Sequence, residues 1–156
     1  MERDYKNRNT AIHLALSKQD FALVPLDIIT LLISYGGKDF VYATNRLLGL
    51  NPLHLICIHG TCAISTPEEA IDALCAVGGK DIVFMKSKHG FNSLFSACSA
   101  QRNSLHIVQK LINIAGRGLV NETRVGGQNM TSILRYAIDM DASDEVIENL
   151  LSLGGK

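Results

Sequence analysis

The chain carries no net charge: across its 156 residues, 15 Lys and Arg balance 15 Asp and Glu. A uniformly basic surface of the kind that binds nucleic acid is therefore not expected. A long hydrophobic run is also missing. No apolar stretch approaches the roughly 18 residues that cross a bilayer, so no membrane partner is expected. The opening Met1-Glu2-Arg3-Asp4-Tyr5-Lys6 has charges but no apolar segment behind them, so no secretory signal is read there. None of the four cysteines, Cys57, Cys62, Cys75 and Cys98, forms the Cys-x-x-Cys pair of zinc ribbons and redox motifs. These absences predict free thiols in an intracellular protein, cytoplasmic or nuclear. In such a compartment the Asn121 and Asn129 glycosylation sequons are accidental. What is abundant is apolar material, 47% of residues against 19% charged, which excludes a disordered chain. The length suits a single domain over residues 1–156.

The chain repeats itself. A glycine-rich stop reads Gly36-Gly37-Lys38-Asp39-Phe40-Val41 and then Gly78-Gly79-Lys80-Asp81-Ile82-Val83. A weaker copy is Ala115-Gly116-Arg117-Gly118-Leu119-Val120, and Gly154-Gly155-Lys156 is a fourth. A second marker reads Thr10-Ala11-Ile12-His13, Asn51-Pro52-Leu53-His54, Asn92-Ser93-Leu94-Phe95 and Thr131-Ser132-Ile133-Leu134, with starts 41, 41 and 39 residues apart. Two independent markers with one period define repeats at about 5–41, 42–83, 84–120 and 121–156. Each holds two helical patterns. The first follows the Thr or Asn, which serves as N-cap. The second ends at the glycine, which accepts a left-handed conformation. In the second pattern Ile28, Ala70, Ile107 and Val146 share one place, and Leu32, Leu74, Leu111 and Leu150 another. This four-residue spacing predicts one buried helix face. Thr66, Pro67 and Glu69 predict a capping box.

Two short helices and a loop cannot bury an apolar face alone, but stacked copies can. At these residues the sequence resembles the ankyrin repeat family. That family's Thr-Pro-Leu-His opening is similar to Asn51-Pro52-Leu53-His54 and Thr10-Ala11-Ile12-His13, while Phe95 and Leu134 replace the histidine later. The resemblance implies an all-α, ankyrin-type helical repeat solenoid, with paired antiparallel helices and extended finger loops. The period exceeds the family's usual ~33 residues, because the fingers and the first two interhelical turns are long. HEAT or armadillo units of about 40–47 residues are the alternative, but their helices would outrun the segments available here.

The candidate chemistry is sparse. Cys57, Cys75 and Cys98 fall at repeat positions that elsewhere hold Leu, Ile or Ala, so they are read as core. Cys62 lies in a turn and is the one expected exposed thiol. His13 and His54 look like the ankyrin histidine that hydrogen-bonds backbone between neighbouring fingers. His59 suits a helix C-terminus, His106 a surface position, and His89 a finger tip. No catalytic, metal-ligating or cofactor-binding set emerges, and no enzyme or small-molecule substrate is expected.

The charges are unevenly placed. The fingers collect basic residues, while Asp72, Glu68, Glu69, Asp144, Glu145 and Glu148 make the second helices acidic. Arg46, Lys86, Lys88, His89 and Arg124 fall on three successive fingers and are the candidate partner-binding residues. By resemblance, the function is protein–protein recognition without catalysis, through fingers and first helices, toward a partner with an acidic surface. The alternative is a structural spacer or regulatory repeat segment of a larger protein. Leu26 and Leu31 stand where the second repeat has Glu68 and Ala73, which suggests an upstream neighbour for the first repeat.

Overall fold

A computed structural model describes residues 9–17, 23–59, 64–99, 105–126 and 129–154. Cys62 lies outside them. Among the described residues the fold is all-α apart from one small hairpin. Its elements are α1 (Ala11–Ser17), α2 (Leu26–Val41), α3 (Pro52–His59), α4 (Pro67–Gly78), α5 (Asp81–Phe84), α6 (Ser93–Ser99) and α7 (Leu105–Ala115). They are followed by β1 (Thr123–Gly126), β2 (Asn129–Ser132), α8 (Ile133–Asp139) and α9 (Asp144–Ser152).

The helices pack in pairs: α1 on α2, α3 on α4, α6 on α7 and α8 on α9. Each pair also packs on the next. One row of contacts runs α1–α3–α6–α8 and a second runs α2–α4–α7–α9. A single apolar core passes through both rows, with Ile12, Leu53, Ile56, Leu94 and Ile133 from the first and Ile29, Ile71, Leu74, Leu111 and Leu150 from the second. Cys57 and Cys98 lie in this core. Burial keeps both thiols protonated, with Cys98 pushed up to about 12.

Local chemistry sets the boundaries. The Asn51 Oδ1 accepts from the backbone N–H of His54 at 2.9 Å, and the Asn92 Oδ1 from those of Leu94 and Phe95 at 3.0 and 3.2 Å. These are the N-caps that the repeat marker predicts. At the far end of α4, Gly79 takes φ 68° and returns its N–H to the Cys75 carbonyl at 2.8 Å. A side chain there would be strained in this left-handed region, so the glycine stop is a backbone requirement.

Several expectations need correction. Residues after each glycine stop do not go straight into a finger. They make a short helical turn, within α2, α5 and a 3-10 turn over Arg117–Leu119, which drives Phe40-Val41, Ile82-Val83 and Leu119-Val120 into the core. The fingers are correspondingly shorter. Ile28 is not buried: it is 45% exposed, and the neighbouring Ile29 and Ile33 fill the core instead. Its place in later pairs is covered by the helix of the preceding pair, and no described helix precedes α2 on that side. Thr66 stands at the cap position, but its side chain makes no cap and the box does not form. The preceding Ile64 is drawn into a parallel bridge with Val24, next to the turn. Thr131 is not the last cap either. It pairs with Arg124 in the β1–β2 ladder, so Ser132 caps α8 by accepting from the N–H of Arg135. Cys75 is only half-buried, with burial still raising its thiol to about 11.

Leu74 and Leu111 are fully buried between adjacent pairs. Leu74→Ala or Leu111→Ala is expected to cost roughly 2–5 kcal/mol through lost contacts and a residual cavity. Tyr35→Ala, at a position 88% exposed, is expected to stay within about 0.5 kcal/mol. Urea midpoints of the three variants check this. Equal midpoints would mean that the packing of the second row is misassigned.

Candidate functional site: a row of linked fingers

Three fingers lie side by side, and each is stapled within itself. In the first, residues 42–50, the Asn45 Oδ1 accepts from the N–H groups of Leu48 and Leu50, both at 3.1 Å. In the second, residues 85–92, the Ser87 N–H donates to the Phe91 carbonyl at 2.8 Å, and the Phe91 N–H to the Ser87 hydroxyl at 3.2 Å. The third is the antiparallel β1–β2 hairpin. Asparagine and serine suit these loops because their short side chains satisfy backbone donors where no ladder does.

Buried histidines join the first fingers to the helix pairs. His13 is fully buried, and its Nε2 meets the Leu50 carbonyl at 3.0 Å while the Thr10 hydroxyl reaches its Nδ1 at 2.7 Å. His54 repeats the geometry one unit on, with Nε2 donating to the Phe91 carbonyl at 2.9 Å. Burial holds the His54 pKa below the ordinary histidine value, outweighing the carbonyls of Phe91 and Met85 that push it up. The third unit has Phe95 here and solves the problem differently. Phe95, Phe91 and Tyr136 form an aromatic trio with ring centroids 5.2–5.9 Å apart. The Arg124 guanidinium lies over the Phe91 ring, 4.1 Å from its centroid, in the arrangement of a cation–π contact.

The candidate basic residues are on these fingers, but most are already engaged. The Lys88 Nζ donates to the Arg46 carbonyl, and the Lys88 N–H donates to the Leu48 carbonyl at 2.9 Å. Lys86 forms an ion pair with Glu122 at 2.9 Å on the third finger. The Arg124 Nε donates to the His89 carbonyl at 2.9 Å. Each of these bonds crosses from one finger to the next. Of the candidate partner-binding residues, Lys86, Lys88 and Arg124 are thus already bonded to a neighbouring finger. Repetition explains why: fingers at a constant offset bring the cation of one within reach of a carbonyl or carboxylate of its neighbour. The fit is close. At Gly49, φ is 69°, and an added Cβ would stand 2.9 Å from Lys88 Cγ and 3.0 Å from its N.

Arg46, Lys88 and His89 remain exposed at the finger tips, together with Leu47, Leu48 and Met130. The apolar tips and the aromatic trio were not singled out in the sequence. The signal for the trio was Phe95 at a histidine position, but Tyr136 lies 41 residues away and only the packing joins them. His59 is half-buried at the end of α3, and His106 is exposed on α7. Across the second row, Lys110 and Asp72 form an ion pair at 2.6 Å between α7 and α4. Among the described residues no group of three His, Cys, Asp or Glu side chains is placed to hold a metal ion, and no helix is long and apolar enough to cross a membrane.

No model of a known protein family matches the chain, and no curated protein matches it significantly.

Folding stability is expected to depend on pH through His54. Its folded pKa lies below the unfolded value of about 6.5, so the folded state binds fewer protons than the unfolded one. The contribution is fully present above that value and is lost as pH falls below it toward the folded pKa. Melting temperatures at pH 5 and pH 7.5 for wild type and His54→Gln test this. The variant should be less stable at pH 7.5 and less sensitive to acid. An equal acid response in both would remove His54 as the cause.

Proposed function

We propose that the chain is a non-catalytic protein-recognition module, an ankyrin-type solenoid of four helix pairs that binds a partner protein through its fingers. The observation that carries this reading is the fixed finger row. Buried histidines, an aromatic trio and cross-finger cations hold three loops in register, which reduces the ordering cost of binding. The tips present Leu47, Leu48 and Met130 beside Arg46, Lys88 and His89. Such a surface suits a partner with apolar anchors set among acidic groups. Charge complementarity then governs the encounter rate, and the apolar contacts govern residence.

One observation favours a second reading, a structural spacer or regulatory segment. Lys86, Lys88 and Arg124 all bond within the row, as they would if they served the array itself.

The two readings separate by affinity capture from a native lysate at low and moderate salt. Three baits are compared: wild type, Arg46→Glu with Leu47→Ser, and Glu68→Ala with Glu69→Ala. Recognition by the fingers predicts a defined protein captured by wild type and by the α4 variant, released by salt, and lost from the finger variant. Lys86 is avoided as a probe, since Lys86→Glu would face Glu122 and disturb the row. Capture of nothing by wild type, or of the same protein by all three baits, would sink the finger reading.

A further inference from the structure

Arg124 is committed to the finger row by only one of its nitrogens. The Nε donates to the His89 carbonyl at 2.9 Å, and the guanidinium lies over the Phe91 ring, 4.1 Å from the centroid. An arginine carries its N–H donors on three nitrogens in a fixed fork. Those on Nη1 and Nη2 make no hydrogen bond or ion pair with any described residue.

The side chain is nevertheless held at three points. Its backbone sits in the β1–β2 ladder opposite Thr131. Its Nε is bonded to the second finger. Its flat face rests on Phe91, whose ring packs on those of Phe95 and Tyr136 at 5.9 and 5.2 Å. Phe95 is buried in the core, so this support is the core and not a loop. A long side chain ordinarily gives up rotamer freedom when it takes a ligand. Here the fold has already taken most of it, which favours binding. The ring also keeps water from one face of the cation, and a charge with less water around it attracts an anion more strongly.

Geometry and charge define what fits. With Nε occupied, the open edge is the end-on pair Nη1 and Nη2, and that fork matches the two oxygens of a carboxylate. The cation beside it adds no net charge. Lys86 reaches the Thr123 carbonyl, next to Arg124, but is paired with Glu122. A single unbalanced positive charge suits a monoanion better than a dianionic phosphate.

We propose that Arg124 receives a carboxylate from the bound partner, one Asp or Glu side chain held end-on by Nη1 and Nη2. This rests on the finger reading and adds to it the residue and the chemistry of its polar anchor.

The probe is sodium acetate, titrated at pH 7 into the intact chain labelled with nitrogen-15, with sodium chloride keeping the ionic strength constant. The arginine Nε–H resonances are followed, and Arg124→Lys identifies that of Arg124 by its loss. The Arg124 resonance should shift saturably, at roughly one-tenth of the acetate concentration needed to move Arg46, which is exposed on the first finger. Phe91→Leu keeps the charge and removes the ring, so half-saturation should rise roughly two- to five-fold. A melting curve checks that this variant is folded, and the wild-type titration stands without it. Inorganic phosphate should bind no more tightly than acetate. An Arg124 response no better than that of Arg46, a folded Phe91→Leu that titrates like wild type, or tighter binding of phosphate would each overturn the proposal. Acetate held at Arg124 with no protein captured from the lysate would keep the carboxylate site and remove the finger reading. Capture through the fingers with no acetate response at Arg124 would do the opposite.

Discussion

The structure depends on one recurring contact: in the first two pairs a histidine of the first helix satisfies the loop in front of the next pair. Short helices of seven or eight residues, α1, α3, α6 and α8, are too brief to persist alone. Their stability must come from neighbours. A buried polar backbone group is costly unless it is paired, and the carbonyls of Leu50 and Phe91 stand where a helix and a finger converge. His13 and His54 supply the donors. With the finger held, Asn51 and Asn92 are in place to cap the following helix, and the core residues behind them face inward. Removing the contact would therefore loosen a finger, a cap and a junction together.

Much of this was legible in the sequence, because repetition converts weak local signals into strong ones. The Gly stops, the Asn caps and His13 and His54 all recur at a fixed spacing. Local chemistry decides each of them: a left-handed backbone, an orphan N–H, a carbonyl needing a donor. What escaped is what depends on a neighbour. Ile28 has the right character for the core and the wrong location, because burial at its position is supplied by a preceding pair. The capping box spelled by Thr66, Pro67 and Glu69 does not form, since Thr66 stands at the cap position and its side chain makes no cap bond. The commitment of Lys86, Lys88 and Arg124 to adjacent fingers was hidden because charge placement locates a residue along the chain but not its distance from the next loop.

The finger row shows how one residue type serves two ends. Each cation that crosses to a neighbouring finger lowers its own availability to a partner, and at the same time stiffens the surface on which Arg46, Leu47 and Leu48 stand. Surface ion pairs contribute little to stability individually. Here their effect is on geometry, since loops that would otherwise move independently share a register. Binding surfaces gain from such prior order even when the ordering contacts add little energy.

The exchange of histidine for phenylalanine along the row gives the array a direction. Two of its three junctions run through an imidazole, and the third runs through Phe91, Phe95 and Tyr136, which hold no ring nitrogen. A proton can therefore weaken the middle junction through His54 and leave the last one intact. The same stacking geometry recurs along the row, but in mild acid the junction at His54 is coupled to pH through the cost of burying a charged imidazole, whereas the junction at the aromatic trio is not.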